Sequence, residues 1–197
     1  MGTAPDMIAM TAVSAAIERR TAPATALGED SERIVRACQE MAERFRDGGT
    51  LLVFGTGGSV ADAQHVAVEF AHPVVVGKPA LPAVSLATDM AVTTEIARTR
   101  SLDEIFAAQL RLLAGPRDIA LGLSADGDCA AVREGLAAAR ELGLLTVALT
   151  GGQADPEADH VLAVHSDDPL IVKEVHMTIY HVLWELVHVF YELEAAR

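Results

Sequence analysis

His65 and Glu69 stand four residues apart in a stretch with helical spacing, so they share one face and can act on one small site. A carboxylate and an imidazole placed together suit acid/base work. The carboxylate takes a proton from carbon, and the imidazole handles protons at oxygen near neutral pH. Just upstream, Leu51-Leu52-Val53-Phe54 reads as a short buried strand and Gly55-Thr56-Gly57-Gly58 as a tight turn, with Ser59 opening a helix. A helix N-terminus beside a bare glycine backbone offers N–H groups and the positive end of a dipole, which suits an anion such as a phosphate group. Thr56, Gly57, Gly58 and Ser59 are therefore candidate anion contacts. The spacing is neither the dinucleotide pattern G-x-G-x-x-G nor a P-loop, since no Gly-Lys-Ser/Thr follows. The bland readings stand beside these: glycines also permit close helix–sheet packing, and a single helix histidine is more often ordinary.

The elements that would position these residues alternate. Residues 7–20 read as a short helix, 21–28 as a loop containing Pro23, and 29–46 as an amphipathic helix with Ile34, Ala37, Cys38, Met41 and Phe45 on one face. Strands follow at 51–54, 83–86, 118–123, 144–149 and 161–164. Helices are expected at 59–71, 90–97 (capped by Thr88-Asp89), 102–114 and 129–142, with a long closing helix from Asp168-Pro169 to about 195. The loop 72–82 is long enough to serve a function. This alternation predicts a three-layer α/β/α sandwich on a mostly parallel, five-stranded sheet, with ligands at the C-terminal strand edge. A second glycine/serine turn, Ser124-Ala125-Asp126-Gly127-Asp128, also follows a strand, so both turns should open on the same edge.

A chain of 197 residues is most simply one domain, here with an N-terminal helical segment over about 1–47. Aromatic residues are only 4% against 51% hydrophobic, so Ala, Val, Leu and Ile must build the core. A net charge of −13 argues against a nucleic-acid surface or an anionic membrane, though not against a small anion met by a few oriented N–H groups. No apolar run approaches a membrane span, and the first ten residues lack a secretory pattern. Cys38 and Cys129 have no metal-like spacing. A cytoplasmic protein is the economical expectation.

Several blocks then occur in a fixed order: Phe54-Gly55-Thr56-Gly57-Gly58-Ser59 through Glu69; Leu81-Pro82-Ala83 through Thr88-Asp89; Phe106-Ala107-Ala108-Gln109; Gly115-Pro116-Arg117-Asp118; residues 137–143; and Val172-Lys173-Glu174-Val175-His176 to His181. Over about residues 34–189 the chain resembles the sugar isomerase (SIS) domain family, and within it the phosphoheptose isomerase branch. The resemblance implies a flavodoxin-like fold and a ketose–aldose isomerisation of a sugar phosphate through an enediol. It also implies a homotetramer or dimer with sites between subunits. By position, Glu69 would move the proton between carbons and His181 would assist at the oxygens. Thr56, Ser59 and Ser124, with the glycines of both turns including Gly127, would meet the phosphate, and Asp89 would lie near the substrate. Some members hold zinc through positions matching His65, Glu69, Lys173 and His181. Read from its helix alone, His181, between Tyr180 and Val182, is a core histidine.

The chain departs from that pattern at several places: Thr56 stands for an asparagine, Arg98-Thr99 for an asparagine-aspartate pair, and two further changes touch the site itself. The branch has a serine-rich second loop, where this chain places Asp126, Asp128 and Cys129. Asp128 is expected to cap the helix from Cys129, whereas Asp126 stands where a phosphate-contacting serine belongs. Lys173 replaces a glutamine, and a charged ammonium has no lone pair for a metal. It is expected to take the cation's place and to pair with Glu69 across a subunit interface, leaving no zinc site. An isomerase and a non-catalytic protein that binds a sugar phosphate or a protein partner both remain open at this point. The kept Glu69 and His181 favour the first, and the altered loop the second.

Overall fold

The computed structural model describes residues 4–152, 154 and 156–195. Five parallel strands form one sheet in the order β2-β1-β3-β4-β5, where β1 is Leu51–Gly55, β2 Ala83–Ser85, β3 Ile119–Ser124, β4 Leu145–Gly151 and β5 His160–Val164. The helices are α1 (Ala4–Ala26), α2 (Ser31–Arg46), α3 (Ser59–Ala71), α4 (Met90–Thr99), α5 (Ile105–Leu113), α6 (Ala130–Glu141) and α7 (Pro169–Ala195). The expected three layers and parallel sheet are present.

Because side chains alternate along a strand, a sheet covered on both faces needs apolar residues at every position. In β1, Leu51 and Val53 pack with Met41 and Phe45 of α2, Val66 and Phe70 of α3, and Ile179 and Leu183 of α7. Leu52 and Phe54 pack on the opposite side with Phe106 and Leu110 of α5 and Val132 and Leu136 of α6. The Phe54 and Phe106 ring centroids are 5.1 Å apart. Gly135 of α6 allows this approach: a Cβ there would lie 2.7 Å from the Phe54 ring.

Several expectations shift. The first helix continues through Pro23 to Ala26 rather than ending near residue 20. Pro23 lies near the end of that helix, so it removes one backbone donor and leaves few turns to disrupt, while Thr25 Oγ1 donates to Thr21 O at 2.8 Å. The segment expected as one helix over 102–114 begins as a 3-10 turn at Leu102–Glu104, with the Ser101 hydroxyl accepting from Asp103 N, before α5 proper. The helix expected from 129 begins at Ala130 with Cys129 in the cap position. Asp128 does not cap it; its carboxylate pairs instead with Arg133. β3 and β4 also run one and two residues further than expected.

β1 sends its connection through α3 to β2 on one side, while β3 pairs with it on the other. The C-terminal ends of β1 and β3 therefore flank the point where the strand order reverses, the usual crevice for a ligand in such sheets. α7 runs alongside α2 and α3, and α1 is tied to it by a bidentate Arg20–Glu174 pair at 2.6 and 2.9 Å.

Candidate functional site

At that crevice the two turns form one cleft of about 350 Å³. Thr56, Gly57, Gly58 and Ser59 line it after β1, and Ser124, Ala125 and Asp126 after β3; Pro169 and Lys173 of α7 complete it. The common edge expected for the turns is thus observed. No side chain caps the start of α3, so its dipole end faces the cleft without a built-in carboxylate partner. Lys173 Nζ donates to Gly58 O at 2.8 Å and lies 3.2 Å from the buried Asp62 carboxylate. Gly58 is what lets the ammonium in, because a Cβ there would stand 2.7 Å from Nζ. On the opposite wall, Ser124 Oγ donates to Asp126 Oδ1 at 2.8 Å. Thr56 Oγ1 and Cys129 Sγ, 3.1 Å apart, join the two turns. Gly127 lies in the second turn but not on the cleft wall, and Asp89 is occupied in capping α4 through Val92 N at 3.0 Å.

Further along the same pair of helices, the acid/base residues gather. His65, Glu69 and His181 bring one ligand atom each within 4.8 Å of one another. His65 Nε2 is 3.3 Å from Glu69 Oε1, and the His65 and His181 rings are 5.2 Å apart, edge to face. His181 sits at the surface of the chain, so the core reading of that residue gives way; the fully buried histidines of α7 are His176 and His188. Within one chain, Lys173 turns to Asp62 and not to Glu69, which faces His65.

Two residues outside the sequence-based candidates organise this cluster. Tyr180 is buried with its hydroxyl 2.9 Å from His65 Nδ1. Burial first, then the charges of Asp62 and Glu69, push its phenol up to about 12, so it keeps its proton and donates it. With Nδ1 accepting, the Nε2 hydrogen of His65 is the one that faces Glu69. Trp184 Nε1 donates to Glu69 O at 2.8 Å and holds the last turn of α3 against α7. Asp62, which anchors Lys173, was legible as spacing: residues 62, 65 or 66, and 69 fall on one face of α3. Tyr180 had no such signal, because a tyrosine in an apolar helix reads as core.

A larger surface groove of about 590 Å³ lies along α2 and the end of α7. Its wall mixes Arg36 and Arg44 with Glu40 and Glu43, with no glycine turn and no helix N-terminus facing it, so the chemistry belongs to the smaller cleft.

Among known proteins, the sequence profile of the SIS domain matches residues 16–151. A phosphoheptose isomerase of Solidesulfovibrio magneticus is 40% identical over 178 residues, covering 89% of this chain and 87% of that one. A phosphoheptose isomerase of Chlorobaculum tepidum is 41% identical over 164 residues, covering 80% and 78%. Among solved structures, a phosphoheptose isomerase from Neisseria gonorrhoeae superposes with a TM-score of 0.83 at 29% identity, covering 90% of this chain and 97% of that one.

Proposed function

The chain belongs to the SIS domain family, and from that premise we propose that it isomerises a sugar phosphate between ketose and aldose, with sedoheptulose 7-phosphate as the first substrate to test. The observation that carries the reading is the convergence of Glu69, His65 and His181 on the seam of α3 and α7 whose other end forms the anion cleft. Glycine turns alone would support binding; the added carboxylate and imidazoles support chemistry.

In this reading the substrate lies along the seam with its phosphate in the cleft. The α3 dipole end, the Ser59 and Thr56 hydroxyls and the Lys173 ammonium meet the phosphate there. Glu69 removes the proton from the carbon beside the carbonyl, giving an enediol, and returns it to the neighbouring carbon. His181 gives and takes the proton at the oxygens. His65, held by the Tyr180 hydroxyl, lies 3.3 Å from the Glu69 carboxylate and orients it.

Two imidazoles and a carboxylate also fit a catalytic zinc site with an open position, and they do so without Lys173. When bound, such an ion would be held by His65, Glu69 and His181 and would supply Lewis-acid polarisation of the sugar oxygens.

We further propose that the active form is a homo-oligomer. The support is the exposed apolar set Met7, Ile8, Met10, Val13 and Ile17 on α1, a helix joined to the rest chiefly along α7. The enediol reading is tested by incubating sedoheptulose 7-phosphate with the protein in deuterium oxide. Aldose–ketose interconversion with solvent deuterium at the carbon next to the carbonyl is expected; unchanged sugar overturns the assignment.

A further inference from the structure

The cleft carries a carboxylate where its other features favour negative charge. Asp126 stands exposed at the mouth, and its Oδ1 takes the only proton of the buried Ser124 hydroxyl. An arriving anion therefore finds that donor already used and an acceptor in its place. The dianion of a phosphate monoester would set its own acceptor oxygens against the Asp126 oxygens with no proton between them, so like charges repel at close range. The monoanion of the ester keeps one P–O–H, and that hydrogen closes the same contact as a charge-assisted O–H···O bond.

We propose that this cleft takes its phosphate ester as the protonated monoanion, with the ester's acid proton donated to Asp126. The proposal rests on the reading of the cleft as the phosphate site and adds which protonation state that site selects. No bond to phosphorus changes; a hydrogen bond forms, and the proton stays on the ligand.

The surrounding charges do not remove the need for that proton. Lys173 keeps one ammonium hydrogen for the phosphate, but its charge is shared with Asp62 and a second hydrogen goes to Gly58 O, and Asp128 is turned to Arg133. Beyond Asp126 a smaller cleft is lined by Ser166 and Asp167, with His165 beside them, while Asp168 caps the start of α7 and Glu174 is held by Arg20. Cys129 Sγ faces Thr56, and His176 is buried against Thr150 O. Protonation of a histidine here would strengthen the binding of any anion, whether or not the anion carries a proton itself. Sulfate separates the two effects, because it stays a dianion throughout.

The test is calorimetric titration of the full chain with a simple phosphate monoester, methyl phosphate, and, separately, with sulfate, from below to above the pH at which the ester loses its second proton and with it the last P–O–H. For the phosphate ester, the dissociation constant is expected to be level on the acid side and to rise about tenfold per pH unit above it, because only the monoanionic fraction binds. Sulfate should bind weakly and without that slope. Asp126→Asn and Asp126→Ser should both flatten the ester's profile and bring sulfate up to the ester. The ester and sulfate weakening in parallel as pH rises would place the proton on the protein and overturn the proposal. So would a level profile for the ester, or a slope that survives both substitutions; in each of these results the cleft remains an anion site. If neither anion binds at any pH and neither competes with sedoheptulose 7-phosphate turnover, the phosphate reading of the cleft itself fails, and the proposal with it.

Discussion

Glu69 is set up as a base by what its neighbours do with their protons. Tyr180 gives its hydrogen to His65 Nδ1, which leaves the Nε2 hydrogen for Glu69. Tyr180→Phe removes that instruction and frees His65 to adopt the other tautomer, which presents an acceptor to the carboxylate. The expected result is a fall in kcat of about tenfold, roughly the value of one oriented hydrogen bond near 1.4 kcal/mol, with KM little changed. Steady-state kinetics against wild type check this; a rise in KM at constant kcat would place Tyr180 in substrate binding instead. Lys173 shows what packing adds to a residue-level reading. The sequence marks it as a cation near the site, but the face of α3 it meets is set by packing, and that face offers Asp62 before Glu69.

The elements are held to these tolerances by close contacts between them. α6 approaches β1 only because position 135 has no side chain against the Phe54 ring. Gly135→Ala should therefore cost about 1–3 kcal/mol through overpacking, although alanine is the better helix former. Thermal or denaturant unfolding reads this directly, and an unchanged or raised Tm would show that α6 can shift at little cost. α7 carries a second test. Burial holds the His176 imidazole below its usual 6.5, with Nε2 donating to Thr150 O. The folded state thus binds fewer protons than the unfolded one just below that value. The stability His176 contributes is complete above about pH 6.5 and is lost as pH falls from there, at up to about 1.4 kcal/mol per pH unit. Melting curves across that range should show the decline, and His176→Gln should make it shallower. An equal slope in both proteins would assign the acid sensitivity elsewhere.

Much of this level was legible beforehand. The glycine turn, the start of α3 at Ser59 and the paired turns at one sheet edge follow from local chemistry in consecutive residues. What sequence could not supply were contacts decided by tertiary packing. A proline near a helix end does not stop α1. Asp128 finds Arg133 rather than the helix cap, and His181 emerges at the surface although Tyr180 beside it is buried.

For the whole molecule, the question is what covers α1. Its apolar residues face solvent in the single chain, and no helix among the described residues is long and apolar enough to cross a membrane. A net charge of −13 keeps such a surface from associating at random, so a specific partner copy is the expected cover. Light scattering should give an oligomer for wild type and a smaller species for a variant with Ile8, Val13 and Ile17 changed to Ser. A monomeric wild type would contradict that expectation.

The central claim concerns chemistry at Glu69, and turnover of sedoheptulose 7-phosphate by wild type and Glu69→Gln tests it most directly. Wild type should interconvert the sugar phosphates, and the variant should lose about 100- to 10,000-fold in kcat while still folding and binding phosphate. Comparable turnover by the variant, or none by wild type, would contradict the account.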